Sequence, residues 1–279
     1  MSKILIKKMK IVEFTNNNIY VLNNIDNDKL NEYSEFPIGS ITKLFTIISL
    51  LLLHQNKQIN IYDNIGKYID NNEIKNLKII DIMNHKSGLK NMFDGAQYGK
   101  SKIKYKSATE IYNKYNDNKL IDKKLIGIFA YSNIGYQILG VLIEKVSNSK
   151  YSNYVKNNIL IPLKMNNTGI NECNIILYNK KVKKLTKYEF YERSFASSAG
   201  ELKSCIKDLI KFSKFINLLN EKILKIFKDL YIYYEDNKYN ENIISHGGGI
   251  SGGSSNLVII YNKNWSRIKK IDISLETVL

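Results

Sequence analysis

Residues 36–58 read FPIGSITKLFTIISLLLLHQNKQ. A loop carrying Pro37 and Gly39 runs there into a stretch, Ile41 to Leu53, whose apolar character is broken only by Thr42, Lys43, Thr46 and Ser49. Gly39 and Ser40 precede good helix formers, which predicts a helix beginning near Ser40 and running to about His54. It is apolar nearly all round, so it reads as a buried central helix and not a surface one. The run Leu44 to Leu53 is about half the ~20 residues a membrane span needs, so no transmembrane segment is expected.

Working outward, the period of the pattern changes at both ends of the chain. Met9–Phe14 and Asn18–Leu22 are short β-favouring runs joined by Asn16-Asn17, the signature of a hairpin. Residues 59–170 look mainly helical. IYDNIGKYI (61–69) and LKIIDIMNHKSGL (77–89) are two helical pieces, the second closed by Gly88 as a C-cap. Tyr131-Ser-Asn-Ile-Gly opens an apolar helix through GYQILGVLIEKVS, and another covers about 201–219. LYIYYED (230–236), KYNENIISHGGG (238–249) and SSNLVIIY (254–261) then alternate like strands. Strands at both ends with helices between them predict an α+β fold. In it, an antiparallel sheet of N- and C-terminal strands is flanked by helices and carries a mainly helical insertion. The organisation expected is one domain over 1–279, with a sheet-containing part (1–58 and about 171–279), a helical part (about 59–170) and a cleft between them.

The 279 residues are 44% hydrophobic and 24% charged, a globular composition with room for a large core. Lys+Arg 42 against Asp+Glu 26 gives +16. The lysines are scattered, and the bias toward Lys, Asn, Ile and 20 Tyr with only 2 Pro follows A/T-rich codons, so no nucleic-acid partner is expected. Cys173 and Cys205 cannot form a disulfide framework and read as free thiols. The opening MSKILIKKMKIVEF has no signal-peptide apolar run or cleavage site, which points to a cytoplasmic location.

Three short patterns carry chemistry. Ser40-Ile-Thr-Lys43 is S-x-x-K at a helix start: residues three apart share a face, so a neutral Lys43 amine can take the Ser40 proton. Burial favours that neutral form, and the helix N-terminus offers N–H groups to an oxyanion. The tetrapeptide recurs at Ser87/Lys90, Ser101/Lys104, Ser204/Lys207 and Ser266/Lys269, yet only the first copy opens a buried helix. Tyr131-Ser-Asn133 is Y-x-N on a turn before a helix, also matched by Tyr62/Asn64 and Tyr151/Asn153. A phenol there can relay a proton and an amide can hold a substrate, although a helix cap and a packing aromatic would look the same. His246-Gly-Gly-Gly-Ile-Ser-Gly-Gly falls between two strands. Its glycines would let a substrate lie against the strand edge, and no Lys-Ser/Thr follows to make a P-loop.

The ordered set resembles the serine β-lactamase and penicillin-binding protein superfamily, especially its branch of class C β-lactamases, D,D-peptidases, D-aminopeptidases and related esterases. The resemblance runs over roughly residues 9 to 261. It implies a serine hydrolase acting through an acyl-enzyme on an amide or ester. The substrate class would be a D-amino-acid peptide, a β-lactam or an ester, and neither a metal nor another cofactor is needed. Ser40 would be the nucleophile, with Lys43 and Tyr131 sharing acid and base duty. Asn133, Gly247 and Gly248 would line the substrate. His246 would supply positive or hydrogen-bonding character near a substrate carboxylate and Tyr131. The amides of Ser40 and Gly249 would form the oxyanion hole. Gly247 stands where the family often has Thr or Ser, and His246 where it often has Lys. Both departures lean away from an efficient β-lactamase toward a peptidase or esterase. A catalytically silent penicillin-binding or sensor module is the alternative. The tail IKKIDISLETVL reads as stopping where such proteins complete the sheet.

Overall fold

The computed structural model describes residues 9–23, 29–91, 106–115, 119–170, 172–175, 192–216, 219–236, 238–250, 253–264 and 267–278. The S-x-x-K copies at Ser101 and Ser266 therefore lie outside the described residues.

The chain opens with the hairpin of β1 (Met9–Thr15) and β2 (Asn18–Asn23). Asn16 and Asn17 have φ of 49° and 63°, the left-handed pair that a two-residue hairpin turn matching strand twist requires. At the far end lie β7 (Tyr233–Asp236), β8 (Glu241–Ile250), β9 (Gly253–Asn262) and β10 (Ile268–Val278). They join the hairpin in one antiparallel sheet ordered β2-β1-β10-β9-β8-β7. The tail is thus no loose end: β10 lies between β1 and β9 and unites the two termini. Val12, Leu257, Ile259, Ile273 and Leu275 alternate onto the buried face. On the other face Thr15 Oγ1 donates to Asp272 at 2.5 Å and Ser274 to Glu13 at 3.2 Å, a polar surface suited to water.

Helix α1 (Thr42–Gln55) follows a single 3₁₀ turn at Gly39–Ile41 and fills the centre of the molecule. Leu44, Phe45, Ile47, Ile48, Leu50, Leu51 and Leu53 are all buried, each worth about 1.5–3 kcal/mol relative to exposure. Phe45 stacks on Phe212 of a helix at Ile206–Ile216, with ring centroids 4.1 Å apart. The polar interruptions are satisfied: Ser49 donates to the Phe45 carbonyl at 2.8 Å, and Thr46 to the Ser198 carbonyl at 2.7 Å.

The inserted region is helical, but less than its sequence suggests. Residues 61–69 form turns with one 3₁₀ segment at Ile65–Lys67, and the Asn60 side chain organises the start by accepting from the Tyr62 N–H. Helix α2 is only Ile79–Met83. Gly88 is not its cap: it sits in β4 (Ser87–Leu89), paired with β5 (Ile121–Ile126), which periodicity did not reveal. With φ +79° and a would-be Cβ 2.8 Å from the Asp122 carbonyl, Gly88 is demanded by strand contact instead. Helix α4 (Asn133–Ser147) packs beside α1, and α3 (Ala108–Tyr115) packs on α4. The late helix covers Ile206–Ile216 rather than 201–219, because Lys203–Ser204 pair as strand β6 with β3 (Phe36–Pro37). Among the described residues no helix is long and apolar enough to cross a membrane.

Candidate active site

Ser40 sits in the 3₁₀ turn that leads into α1, so Lys43, in the first turn of the helix, returns to the same face. Lys43 is fully buried and its Nζ meets three oxygens: Ser40 Oγ at 3.0 Å, Asn133 Oδ1 at 2.8 Å and the Ala199 carbonyl at 2.6 Å. Burial holds its pKa well below the ordinary lysine value, because the charged ammonium loses its water. As an ammonium it can donate to all three; in the neutral form its two N–H groups suit the Asn133 and Ala199 oxygens, which can only accept, and its lone pair then faces the Ser40 hydroxyl.

Tyr131 approaches the same hydroxyl from the turn before α4, donating to Ser40 Oγ at 2.8 Å. Burial raises its pKa, partly opposed by that bond to Ser40, so the phenol keeps its proton. Ser132 caps α4, its Oγ accepting from the Gly135 N–H at 3.2 Å while donating to the Lys90 carbonyl at 2.9 Å. The next residue, Asn133, is aimed at Lys43 by the cap, and the Asn91 Oδ1 accepts from its backbone N–H at 3.2 Å and its Nδ2 at 3.4 Å. The Ala199 carbonyl is delivered by a tight contact. A Cβ at Gly140 of α4 would lie 2.1 Å from Ser198 Oγ, which donates to the Tyr136 carbonyl at 2.9 Å.

The glycine segment falls into distinct roles. A Cβ on Gly248 would come within 2.0 Å of the Ile38 carbonyl, so this glycine lets β8 touch the nucleophile loop. It does not open space for a substrate, contrary to the expectation from sequence. Gly249 has open space where a side chain would stand, and Gly247 has its nearest neighbour at 3.9 Å. Gly39, at φ +47°, brings its α-carbon against the Gly249 amide, 2.9 Å from the would-be Cβ, which sets the two amide-bearing loops side by side.

His246 departs furthest from expectation. Its Nε2 is 2.7 Å from Tyr231 Oη, and its Nδ1 is 2.5 Å from the Gly247 carbonyl, while Tyr131 bonds Ser40 instead. Burial first, and the Lys43 charge second, lower its pKa to about 4 against the pull of the Gly247 carbonyl, so the ring is neutral at neutral pH. Of the positive or hydrogen-bonding character that the resemblance implies here, burial disfavours the positive.

Two contributors escaped the sequence reading. Tyr231, inside a segment read only as a strand, is the partner of His246. His85, inside a segment read only as a helix, organises the Tyr131 turn. Its Nδ1 accepts the Ser132 N–H at 3.0 Å, its carbonyl accepts the Ala130 N–H at 2.7 Å, and its ring lies 4.4 Å from that of Tyr131. Phe129, Tyr136 and Tyr231 complete an aromatic box around it. His85 is buried with φ +55°, flanked in sequence by Asn84 and Lys86, so nothing in the local pattern singled it out.

A six-stranded antiparallel sheet, a central buried helix and a serine–lysine–tyrosine cluster at that helix's start together define the serine β-lactamase and penicillin-binding class. The chain belongs to the beta-lactamase family, whose model matches residues 16–235. Penicillin-binding protein 4* of Bacillus subtilis (strain 168) is 28% identical over 145 residues, covering 49% of this chain and 31% of that protein. The match therefore spans under a third of that relative's length. Among solved structures, D-amino acid amidase from Ochrobactrum anthropi SV3 superposes with a TM-score of 0.74 at 19% identity, over 96% of this chain and 85% of that one. D-stereospecific amidohydrolase from a Streptomyces species gives 0.70 at 20% identity, over 96% and 88%. These likenesses show a shared fold.

Proposed function

We propose that the protein is a serine hydrolase that cleaves an amide or ester through an acyl-enzyme on Ser40. The observation that carries this reading is the convergence on Ser40 Oγ of the buried Lys43 Nζ at 3.0 Å and Tyr131 Oη at 2.8 Å. In its neutral form Lys43 gives both N–H groups to the Asn133 and Ala199 oxygens and turns its lone pair to the Ser40 hydroxyl. Lys43 is then the base, and Tyr131, kept protonated by burial, is the acid.

In the first half-reaction Ser40 Oγ loses its proton to Lys43 and bonds the substrate carbonyl carbon. The tetrahedral oxyanion is received by the amides of Ser40 and Gly249, a donor pair of the kind worth about 3–4 kcal/mol each in hydrolases. The bond to the leaving amine or alcohol breaks, Tyr131 protonates that group, and the Lys43 ammonium, 5.0 Å from the Tyr131 ring, restores the phenol. In the second half-reaction water attacks the ester and gives its proton to Lys43, the bond to Ser40 Oγ breaks, and Lys43 returns that proton to the Ser40 oxygen as the acid leaves. Because the D-amino acid amidase and the D-stereospecific amidohydrolase share this fold, D-amino acid amides and esters are the first compounds to assay.

The test is labelling with a fluorophosphonate or fluorescent penicillin, peptide mapping, and a substrate panel run beside Ser40→Ala. Modification of Ser40 and turnover lost in the variant support the reading. Modification elsewhere, or turnover that survives Ser40→Ala, overturns it.

A further inference from the structure

We propose that Phe129 forms the wall met by the substrate's leaving group, and that this group is a bulky apolar alcohol or amine instead of ammonia or a small polar alcohol. The proposal rests on the acyl-enzyme reading above and narrows the substrate class of the same site.

Just before Tyr131 the chain reads Ile126-Gly-Ile-Phe129, and its three large side chains are 53%, 57% and 53% exposed. A single exposed apolar residue needs no explanation, whereas a cluster of them marks a contact surface. This cluster is not free to fold inward. The Gly127 N–H donates to the Lys86 carbonyl at 2.8 Å and the Ala130 N–H to the His85 carbonyl at 2.7 Å, which pins the segment at both ends. Between them the Ile128 N–H closes a turn on the Leu125 carbonyl at 3.1 Å, with Gly127 at φ +82°. The backbone therefore holds Phe129 out at the surface.

The position of the ring ties it to the reaction. Phe129 packs edge-on against His85, centroids 5.7 Å apart, and tilted against Tyr231 at 5.9 Å. The other neighbour of the His85 ring is Tyr131, at 4.4 Å, whose hydroxyl donates to Ser40 Oγ. Tyr231 in turn reaches β8 through His246, 2.7 Å away. Phe129 thus bridges the turn that carries the acid and the strand that carries Gly249. In the mechanism above the leaving atom takes its proton from Tyr131, so the group attached to that atom departs on the Tyr131 side, toward Phe129. One part of the ring is covered by His85 and Tyr231, and the exposed part is what a leaving group meets. An apolar group laid on it removes water from two apolar surfaces at once, and an aromatic one adds a ring–ring contact. Ammonia or a small polar alcohol gains neither.

The experiment compares two hippuryl esters that differ only in the leaving alcohol, 2-phenylethanol or 2-methoxyethanol. In both, Ser40 Oγ bonds the carbonyl carbon, the ester C–O bond breaks, the alcohol leaves with the Tyr131 proton, and water releases hippurate. Hippurate release gives the rate, and mass spectrometry of the intact protein reads the acyl-enzyme. We expect kcat/KM to be about ten-fold or more higher for the phenylethyl ester, the scale of discrimination that an apolar contact supplies. Phe129→Ser should bring the ratio toward one, and Phe129→Tyr, which keeps the ring, should preserve it. Both esters are read on one sample, so the ratio does not depend on how much of a variant folds. Ile161→Ser removes a similarly exposed apolar side chain elsewhere on the surface and is the control that should leave the ratio unchanged. Equal or methoxyethyl-favouring turnover by the wild type overturns the proposal, as does a ratio that Phe129→Ser leaves in place or that Ile161→Ser moves as far. If a fluorophosphonate labels Ser40 while the phenylethyl ester is not preferred, only this inference fails. If Ser40 is acylated by neither ester and by no fluorophosphonate, the acyl-enzyme reading fails and takes this one with it.

Discussion

Gly39 and Gly249, far apart in sequence, meet backbone to backbone: the Gly249 nitrogen lies 2.9 Å from the point where a Cβ on Gly39 would stand. Gly248 makes an even closer approach to Ile38. Two glycines, one on each side, let an N-terminal turn and a C-terminal strand share a single site. Gly248→Ala should therefore force β8 off the nucleophile loop, costing about 2 kcal/mol or more as overpacking does, with turnover falling further than stability. Gly39→Ala adds a left-handed backbone cost of about 1–2 kcal/mol to its own clash. Gly127→Ala, also at positive φ but with open space around it, is the control and should show the backbone cost alone. Denaturant melts and initial rates on the three variants decide this; equal effects of all three would refute the contact.

Lys43→Arg keeps a long basic side chain but cannot become neutral. If the amine takes the Ser40 proton, kcat should fall by about 10²–10⁴-fold, the usual worth of a general base. Rapid-quench measurement of acyl-enzyme formation isolates the step. A variant that acylates at the wild-type rate removes Lys43 from the role.

The pH profile of kcat/KM should be a rising limb followed by a plateau. Lys43 must lose a proton to act, so activity increases as pH climbs through its pKa, which burial has moved well below 10.5. Tyr131 must keep its proton, and its raised pKa delays any loss on the alkaline side beyond pH 10. A limb that falls between pH 7 and 9 would contradict both assignments.

Stability should decrease on acidification. His85 and His246 have pKa values lowered to about 3 and about 4 in the folded protein, chiefly by burial, against 6.5 when free. Between those values and 6.5 the unfolded chain binds more protons, so stability drops as pH falls below 6.5; above it the rings contribute nothing. Each ring accounts for about 2 kcal/mol between pH 6.5 and 5. His85→Asn keeps an acceptor for the Ser132 N–H and removes one titrating ring. Its melting temperature should lose less than the wild type's between pH 7 and 5, while kcat falls because Tyr131 loses its stacking partner. An unchanged slope would show that His85 titrates normally.

Much of the fold was legible because local patterns agreed with the tertiary demand. Asn16-Asn17 is a turn in sequence and in space, and the apolar α1 is buried in both. Residues 61–69 and 77–89 misled because isoleucines at helical spacing also suit turns anchored by Asn and Gly; β4 has only three residues, and β5, IDKKLI, does not alternate apolar with polar. The tail was missed as a strand because IKKIDISLETVL alternates apolar with charged and hydroxyl residues, a pattern whose meaning depends on having partners on both sides. At the site, Ser40, Lys43, Tyr131 and Asn133 meet as their order along the chain suggested. Tyr231 and His85 lie in segments whose patterns carry packing information and none about chemistry.

Sequence alone determined the residue types, their order, and the helix start that puts an amine three positions after a hydroxyl, since those follow from local spacing. Tertiary structure decided the burial of that amine, the partners of His246, and which glycines are for contact. Protonation and close approach depend on burial and on partners brought from remote segments, and no window of neighbouring residues contains that information.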